Sequence, residues 1–121
     1  MFESPFLDNR DHLFENEVGF VIFDKFPVNN GHCLIVPFRV YSNYFDSTES
    51  EISGLNQLLF QTKKYLDNEY NPSSYNVGVN CGKDSGQTVE HLHIHLIPRY
   101  PNDVDDPTGG VRGVIPHKQK Y

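Results

Sequence analysis

Three of the six histidines fall within five residues, in the run His91-Leu92-His93-Ile94-His95-Leu96-Ile97, where imidazole and aliphatic side chains alternate. Successive side chains of a strand point to opposite faces, so this spacing predicts three imidazoles on one face, with Leu92, Ile94 and Leu96 packed into the core behind them. Neighbouring imidazoles repel one another when all are protonated, so at neutral pH at least some are expected to be neutral. A neutral imidazole is a nucleophile or a metal ligand. Three readings compete: satisfied surface histidines on a half-exposed strand, a zinc centre, and nucleophilic catalysis on phosphorus. Zinc would use imidazoles at i and i+2 plus a third ligand, yet the one nearby carboxylate, Glu90, is expected on the opposite face. In the phosphorus reading an unprotonated histidine attacks, a phosphoramidate forms, and water releases it.

Phosphorus chemistry needs donors that hold the phosphate oxygens while charge moves, and backbone amides of a glycine-containing loop supply them without a large positive charge. Gly86-Gln87-Thr88-Val89 leads directly into the histidines. Upstream, Tyr75 to Asn80 alternates, with Tyr75, Val77 and Val79 on one face and Asn76, Gly78 and Asn80 on the other. The second face is polar and open to close approach.

The elements that must position these groups are also readable. Val18 to Asp24 and His32 to Val36 are expected strands, and Asn30-Gly31 between them suits a tight hairpin turn. From Thr48 to about Asn68, Ile52, Leu55, Leu58, Leu59, Tyr65 and Leu66 recur at helical spacing, and Thr48 with Glu51 predicts a capping box. Asn71-Pro72 ends that helix. Residues 81–88 read as a loop and Glu90 to Pro98 as the last strand. The expectation is an α+β domain: an antiparallel sheet with one long helix packed on it.

A chain of 121 residues with 37% hydrophobic content supports one domain and one site. Residues 1–100 are read as the catalytic body and the turn-rich residues 101–121 as a C-terminal arm, whose Arg112, Lys118 and Lys120 are candidates to lie over the site. Sixteen acidic against ten basic residues, a net charge of −6, argue against binding nucleic acid or anionic membrane through bulk electrostatics. Cys33 and Cys81 lack paired spacing, and residues 1–10 resemble neither a leader nor an anchor, so a cytoplasmic protein is expected. Cys33 is expected in the core and Cys81 partly exposed. Phe6 or Phe20 could stack under a base.

The block Gly86-Gln87-Thr88-Val89-Glu90-His91-Leu92-His93-Ile94-His95-Leu96-Ile97-Pro98-Arg99 resembles throughout the signature of the histidine triad family, His-x-His-x-His followed by two apolar residues. Gly31-His32-Cys33-Leu34-Ile35-Val36-Pro37, Asp24 and Asn80 extend the resemblance over most of residues 18–99. Order and spacing look like the fragile histidine triad branch, which cleaves dinucleoside polyphosphates. The resemblance implies a HIT-like fold, a homodimer, and hydrolysis or transfer of nucleoside monophosphate groups from a small nucleotide substrate. By that resemblance His93 is the nucleophile, His95 contacts the phosphate and assists the leaving group, and His91 supports the site. Asn80 and the segment Gly86, Gln87, Thr88 and Val89 would hold phosphate oxygens, Asp24 the ribose hydroxyls, and His32 the sheet or the triad. No metal or cofactor is obligatory, with Mg²⁺ entering only alongside the substrate's phosphates. The competing classes are a zinc hydrolase and a nucleotide-binding module without turnover. One departure is Val40, near the place where many relatives carry a further histidine.

Overall fold

The computed structural model describes residues 3–121. Residues 1 and 2, the first of the expected catalytic body, lie outside the described residues. The elements in chain order are β1 (Phe14–Glu15), β2 (Gly19–Phe23), β3 (Cys33–Pro37), α1 (Glu49–Tyr70), β4 (Ser74–Gly78) and β5 (Ile94–Arg99). They form one sheet in the order β1-β2-β3-β5-β4, every neighbouring pair antiparallel. This is the α+β arrangement expected, with β1 added where the sequence offered no run long enough to read.

Alternation assigns each strand residue to a face. Val21, Cys33, Ile35, Ile94 and Leu96 face α1 and bury with its Leu55, Leu58 and Leu66. Leu92 joins the same cluster, as its spacing predicted. Cys33 is fully buried and its thiol is pushed up to about 12 by burial, so it acts as a small apolar core residue. The helix starts at the expected capping box: Thr48 Oγ1 accepts from the Glu51 amide and Glu51 Oε1 from the Thr48 amide. It ends at Tyr70, with Asn71 in the left-handed region at φ 50° ahead of Pro72. Helix and strand meet closely at Gly54, where a Cβ would stand 2.1 Å from Val18 Cγ2.

Two boundaries differ from expectation for physical reasons. The β2–β3 connection is longer than a two-residue hairpin. The His32 amide donates to Asn29 O at 3.1 Å and only Gly31 has a positive φ, 89°, so Asn30-Gly31 forms the centre of a type II-like turn inside a loop. Strand β5 begins at Ile94, not Glu90. Its partner β3 ends at Pro37, which has no amide hydrogen to continue the ladder, and the Leu92 amide turns instead to Tyr41 O at 2.7 Å. His91 and His93 therefore precede the strand they were expected to occupy.

The opposite sheet face carries Phe20, Ile22, Leu34 and Val36, covered by Phe6 from the N-terminal segment. Beyond β5, Arg99 pairs with Asp103 at 2.8 Å and donates to Asn76 Oδ1 at 2.6 Å, which turns residues 101–121 back along β4. Two short 3-10 turns, Gly110–Val114 and Pro116–Lys118, follow. Among the described residues no helix is long and apolar enough to cross a membrane.

Candidate active site

His91 is wholly buried and fixed at both nitrogens. Its Nε2–H donates to Pro37 O at 2.7 Å, so Nδ1 is the lone-pair nitrogen and accepts from Ser4 Oγ–H at 2.5 Å. The ring thereby satisfies the carbonyl that the truncated ladder leaves at the end of β3. Burial, with the His93 ring beside it, lowers its pKa and keeps it neutral.

The His91 carbonyl sets the next ring. A carbonyl accepts only, so His93 Nδ1, 2.8 Å from His91 O, carries the hydrogen. In the neutral ring Nε2 then holds the free lone pair. Phe6 packs edge-on against this imidazole at 4.9 Å between ring centres, and the Phe6 amide is itself held by Ser4 Oγ.

His95 is set through His32. The Val28 amide donates to His32 Nδ1 at 3.0 Å, so His32 carries its hydrogen on Nε2. That Nε2–H lies 2.9 Å from His95 Nδ1 and 3.5 Å from Asp24 Oδ2. His95 accepts it on Nδ1 and therefore bears its own hydrogen on Nε2. Burial first, then the neighbouring His93 and His32 rings, push its pKa down to about 4, and burial lowers that of His32 against the opposing pull of Asp24. Three adjacent imidazoles are thus distinguished by hydrogen bonding alone: His91 is tied at both ends, His93 presents a lone pair and His95 presents an N–H.

His93 and His95 line a cavity of about 390 Å³ together with Asp24, Asn80, Gly86, Thr88 and Val89. Seven of the expected site residues are brought to one place from β5 and the residue just before it, the β2 terminus, the segment after β4 and the glycine loop. Gly86 takes φ 100°, a conformation that favours glycine, and turns the chain into the histidine segment. Gln87 is not on the wall. Its side-chain carbonyl accepts from the Gly82 amide at 2.9 Å and its amide donates to Ser42 O at 2.8 Å, so it braces the loop from behind. His91 and His32 also stand behind the wall. Val40 is exposed, outside the network.

Five wall residues were missed by sequence reasoning: Pro5, Arg10, Lys25, Phe26 and Leu34. Arg10 and Lys25 both pair with Asp8, at 2.9 and 3.1 Å, which offsets their charge. Phe6 lines the cavity but its ring is spent on His93, and Phe20 is fully buried and stacked on His12 at 4.2 Å, so Phe20 is not available to a base. Phe26, 86% exposed on the rim, is the aromatic that is. No sequence signal separated these phenylalanines.

Asp24, His32 and His95 bring three ligand-type atoms within 4.8 Å of one another, a carboxylate partner the sequence had not supplied. The donor set does not fit a cation. A ligating nitrogen must offer a lone pair, and His32 spends its lone pair on the Val28 amide, leaving a hydrogen on the nitrogen that faces the cluster. The geometry is that of a hydrogen-bond relay.

Comparison with known proteins identifies the family. The HIT domain family profile matches residues 8–102. The nitrilase and fragile histidine triad fusion protein NitFhit of Caenorhabditis elegans is 37% identical over 97 residues, 79% of this chain and 22% of that protein. Its crystal structure superposes with a TM-score of 0.78 at 34% identity, covering 85% of this chain and 25% of that one. An AP-4-A phosphorylase of Mycobacterium tuberculosis is 32% identical over 119 residues, 94% of this chain and 60% of that protein. A bis(5'-adenosyl)-triphosphatase of Dictyostelium discoideum is 31% identical over 104 residues, 85% of this chain and 70% of that protein. The chain thus spans from about a fifth to under three quarters of these relatives' lengths.

Proposed function

The chain belongs to the HIT domain family, and on that premise we propose that it cleaves dinucleoside polyphosphates or related nucleotides at the α-phosphate through a nucleotidyl-histidine intermediate. The carrying observation is the orientation of His93: its Nδ1–H is held by His91 O, so the lone pair on Nε2 is the one available to a phosphorus in the cavity. Attack forms the Nε2–P bond and breaks the P–O bond to the leaving phosphate. The leaving polyphosphate departs as an anion and needs no proton. His95, with its pKa well below neutral, serves it as a hydrogen-bond donor through Nε2–H. Water then attacks the same phosphorus, the N–P bond breaks, and a nucleoside monophosphate leaves while the water's proton passes to solvent.

In this reading Asn80 and the backbone of Gly86, Thr88 and Val89 hold the phosphate oxygens. Asp24 takes the ribose hydroxyls on the oxygen left free by the Phe26 amide, which occupies Oδ1 at 2.9 Å. Gln87, His32 and His91 act through the groups they position. The body, residues 1–100, carries the chemistry and residues 101–121 form an arm. Mg²⁺ enters only with the substrate's phosphates. A homodimer in a reducing cytoplasm completes the proposal, supported by the relatives' family and by two unpaired cysteines.

The test is product analysis with diadenosine triphosphate and adenosine 5'-phosphoramidate, combined with mass spectrometry of protein quenched during turnover. Adenosine monophosphate as product and an adenylyl group on His93 are expected, both lost in His93→Ala. Full activity of His93→Ala would sink the mechanism, and tight nucleotide binding without turnover by the wild type would identify a binding module instead.

A further inference from the structure

Residues 24–32, which join β2 to β3, carry the amide that decides the tautomer of His32 and, through it, that of His95. That amide belongs to Val28, an exposed residue of the loop. The backbone hydrogen bonds of the loop are internal: the Asp24 amide donates to His32 O at 2.9 Å and the His32 amide to Asn29 O at 3.1 Å. Its polar attachment to the rest of the fold is therefore left to side chains. Lys25 reaches Asp8 from the first half of the loop. The second half is tied to residues at and beyond the end of β5.

Asn29 spends both hydrogens of its side-chain amide there. Its Nδ2 donates to Pro98 O at 3.1 Å and to Asp103 Oδ2 at 2.8 Å. A carbonyl and a carboxylate accept only, so the orientation of the Asn29 amide is fixed. Asp103 is immobilised in turn: Arg99 donates to both its oxygens at 2.8 Å, and the Tyr100 amide adds a third donor at 3.1 Å. The side chains of Arg99 and Asp103 are only 19 and 13% exposed, so this bidentate pair is a firmer anchor than a solvated surface ion pair. Next to it Tyr100 Oη donates to Asn30 O at 2.7 Å. Gly31 then lies against Leu66, Tyr70 and Pro98, each 3.3 Å from where its Cβ would stand. The clamp thus begins at the residue that follows Val28.

We propose that Asn29 is a positioning residue for the reaction: by tying the loop to Pro98 and Asp103 it keeps the Val28 amide on His32 and so keeps the hydrogen of His95 on Nε2. The effect on rate rests on the catalytic reading above; the effect on the rings does not. Without the anchor the Val28 amide can leave His32 Nδ1, and His32 can then carry its hydrogen on either nitrogen. In the alternative form His32 Nε2 holds a lone pair, His95 donates to it from Nδ1, and His95 Nε2 becomes a lone pair. The N–H offered to the leaving phosphate is lost although every ring stays in place. Asp24 Oδ2, 3.5 Å from His32 Nε2, still favours the original form, so the two mix. The cations of the arm take no part: Arg112 donates to Gln119 O and Lys118 O, Lys120 pairs with Asp106 at 3.3 Å, and none of Arg112, Lys118 and Lys120 lines the cavity of His93 and His95.

Imidazole nitrogen-15 shifts of the histidine-labelled full chain, which separate N–H nitrogens from lone-pair nitrogens, test this alongside steady-state kinetics with diadenosine triphosphate. The wild type should carry the hydrogen on Nε2 of both His32 and His95. In Asn29→Ala, and in Asp103→Ala, which removes the partner at the other end, both rings should show mixed tautomers. In each variant kcat should fall about fivefold or more while KM changes by less than about twofold. The double variant should lose no more than about twofold beyond the worse single one, since both changes break the same link. Wild-type tautomers in both variants would overturn the proposal whatever the rates, because a merely structural anchor would leave the ring hydrogens in place. Wild-type protein that cleaves no nucleotide would remove the catalytic reading, and the shifts would still decide whether Asn29 sets the tautomers.

Discussion

Ser4 stands 87 residues from His91 in sequence, yet its hydroxyl is the donor that completes the His91 ring. Ser4→Ala removes that donor and leaves Nδ1 of a wholly buried imidazole without a partner. The ring has no alternative tautomer, because moving its hydrogen to Nδ1 would strip Pro37 O of the Nε2–H bond at 2.7 Å. Leaving a buried acceptor unsatisfied costs about 1–3 kcal/mol, and we expect a loss in that range in urea unfolding with unchanged m-value. The effect should reach catalysis, since the His91 carbonyl orients His93 and Ser4 Oγ also anchors Phe6 against the His93 ring. Small displacements of a nucleophile are expensive, so kcat should fall about tenfold or more with little change in KM. Ser4→Thr, which restores a hydroxyl, should recover most of both losses. Unchanged stability and turnover in Ser4→Ala, or a threonine variant no better than alanine, would refute the claim that this hydrogen bond holds the triad.

Two further outcomes follow from the packing and the buried rings. His32, His91 and His95 all have lowered pKa values in the fold, so on acidification the unfolded chain binds protons first. Stability should be level above about pH 6.5 and fall as pH drops toward about 4, with His95 alone, being partly exposed, contributing about 1–2 kcal/mol; urea unfolding at about pH 7 and about pH 5 that showed a gain on acidification would contradict this. Gly54→Ala sets helix propensity, a gain of about 1 kcal/mol, against a Cβ placed 2.1 Å from Val18 Cγ2. Overpacking of this kind costs about 1–3 kcal/mol, so a net destabilisation is expected, and a raised urea midpoint would show that α1 can lift off β2 without cost.

Local pattern made much of the fold legible. The alternation through Leu92, Ile94 and Leu96 reached the right face of the sheet, and the Thr48–Glu51 box marked the helix start, because both depend on residues a few positions apart. Clustering of His93 with the glycine loop was legible for the same reason. What was not legible depends on distant partners. Pro37 ends the ladder against β5 and pulls His91 out of the strand, a decision made 54 residues away. The tight turn expected at Asn30-Gly31 yielded to a longer loop that lets Val28 cap His32. Gln87 looked like a phosphate ligand by position, but its side chain is claimed by Gly82 and Ser42.

The same distinction bears on how three identical side chains could divide labour. Spacing places imidazoles near one another and leaves each with two possible neutral tautomers. The choice is made by groups with a single hydrogen-bonding capability: the carbonyls of Pro37 and His91 can only accept, and the amide of Val28 can only donate. Because those three groups belong to the backbone, side-chain substitution cannot remove them directly, and the lone pair on His93 Nε2 and the N–H on His95 follow from the chain path itself. The exception is Ser4, where one link of the network rests on a replaceable hydroxyl, and that is why it is the most informative place to break it.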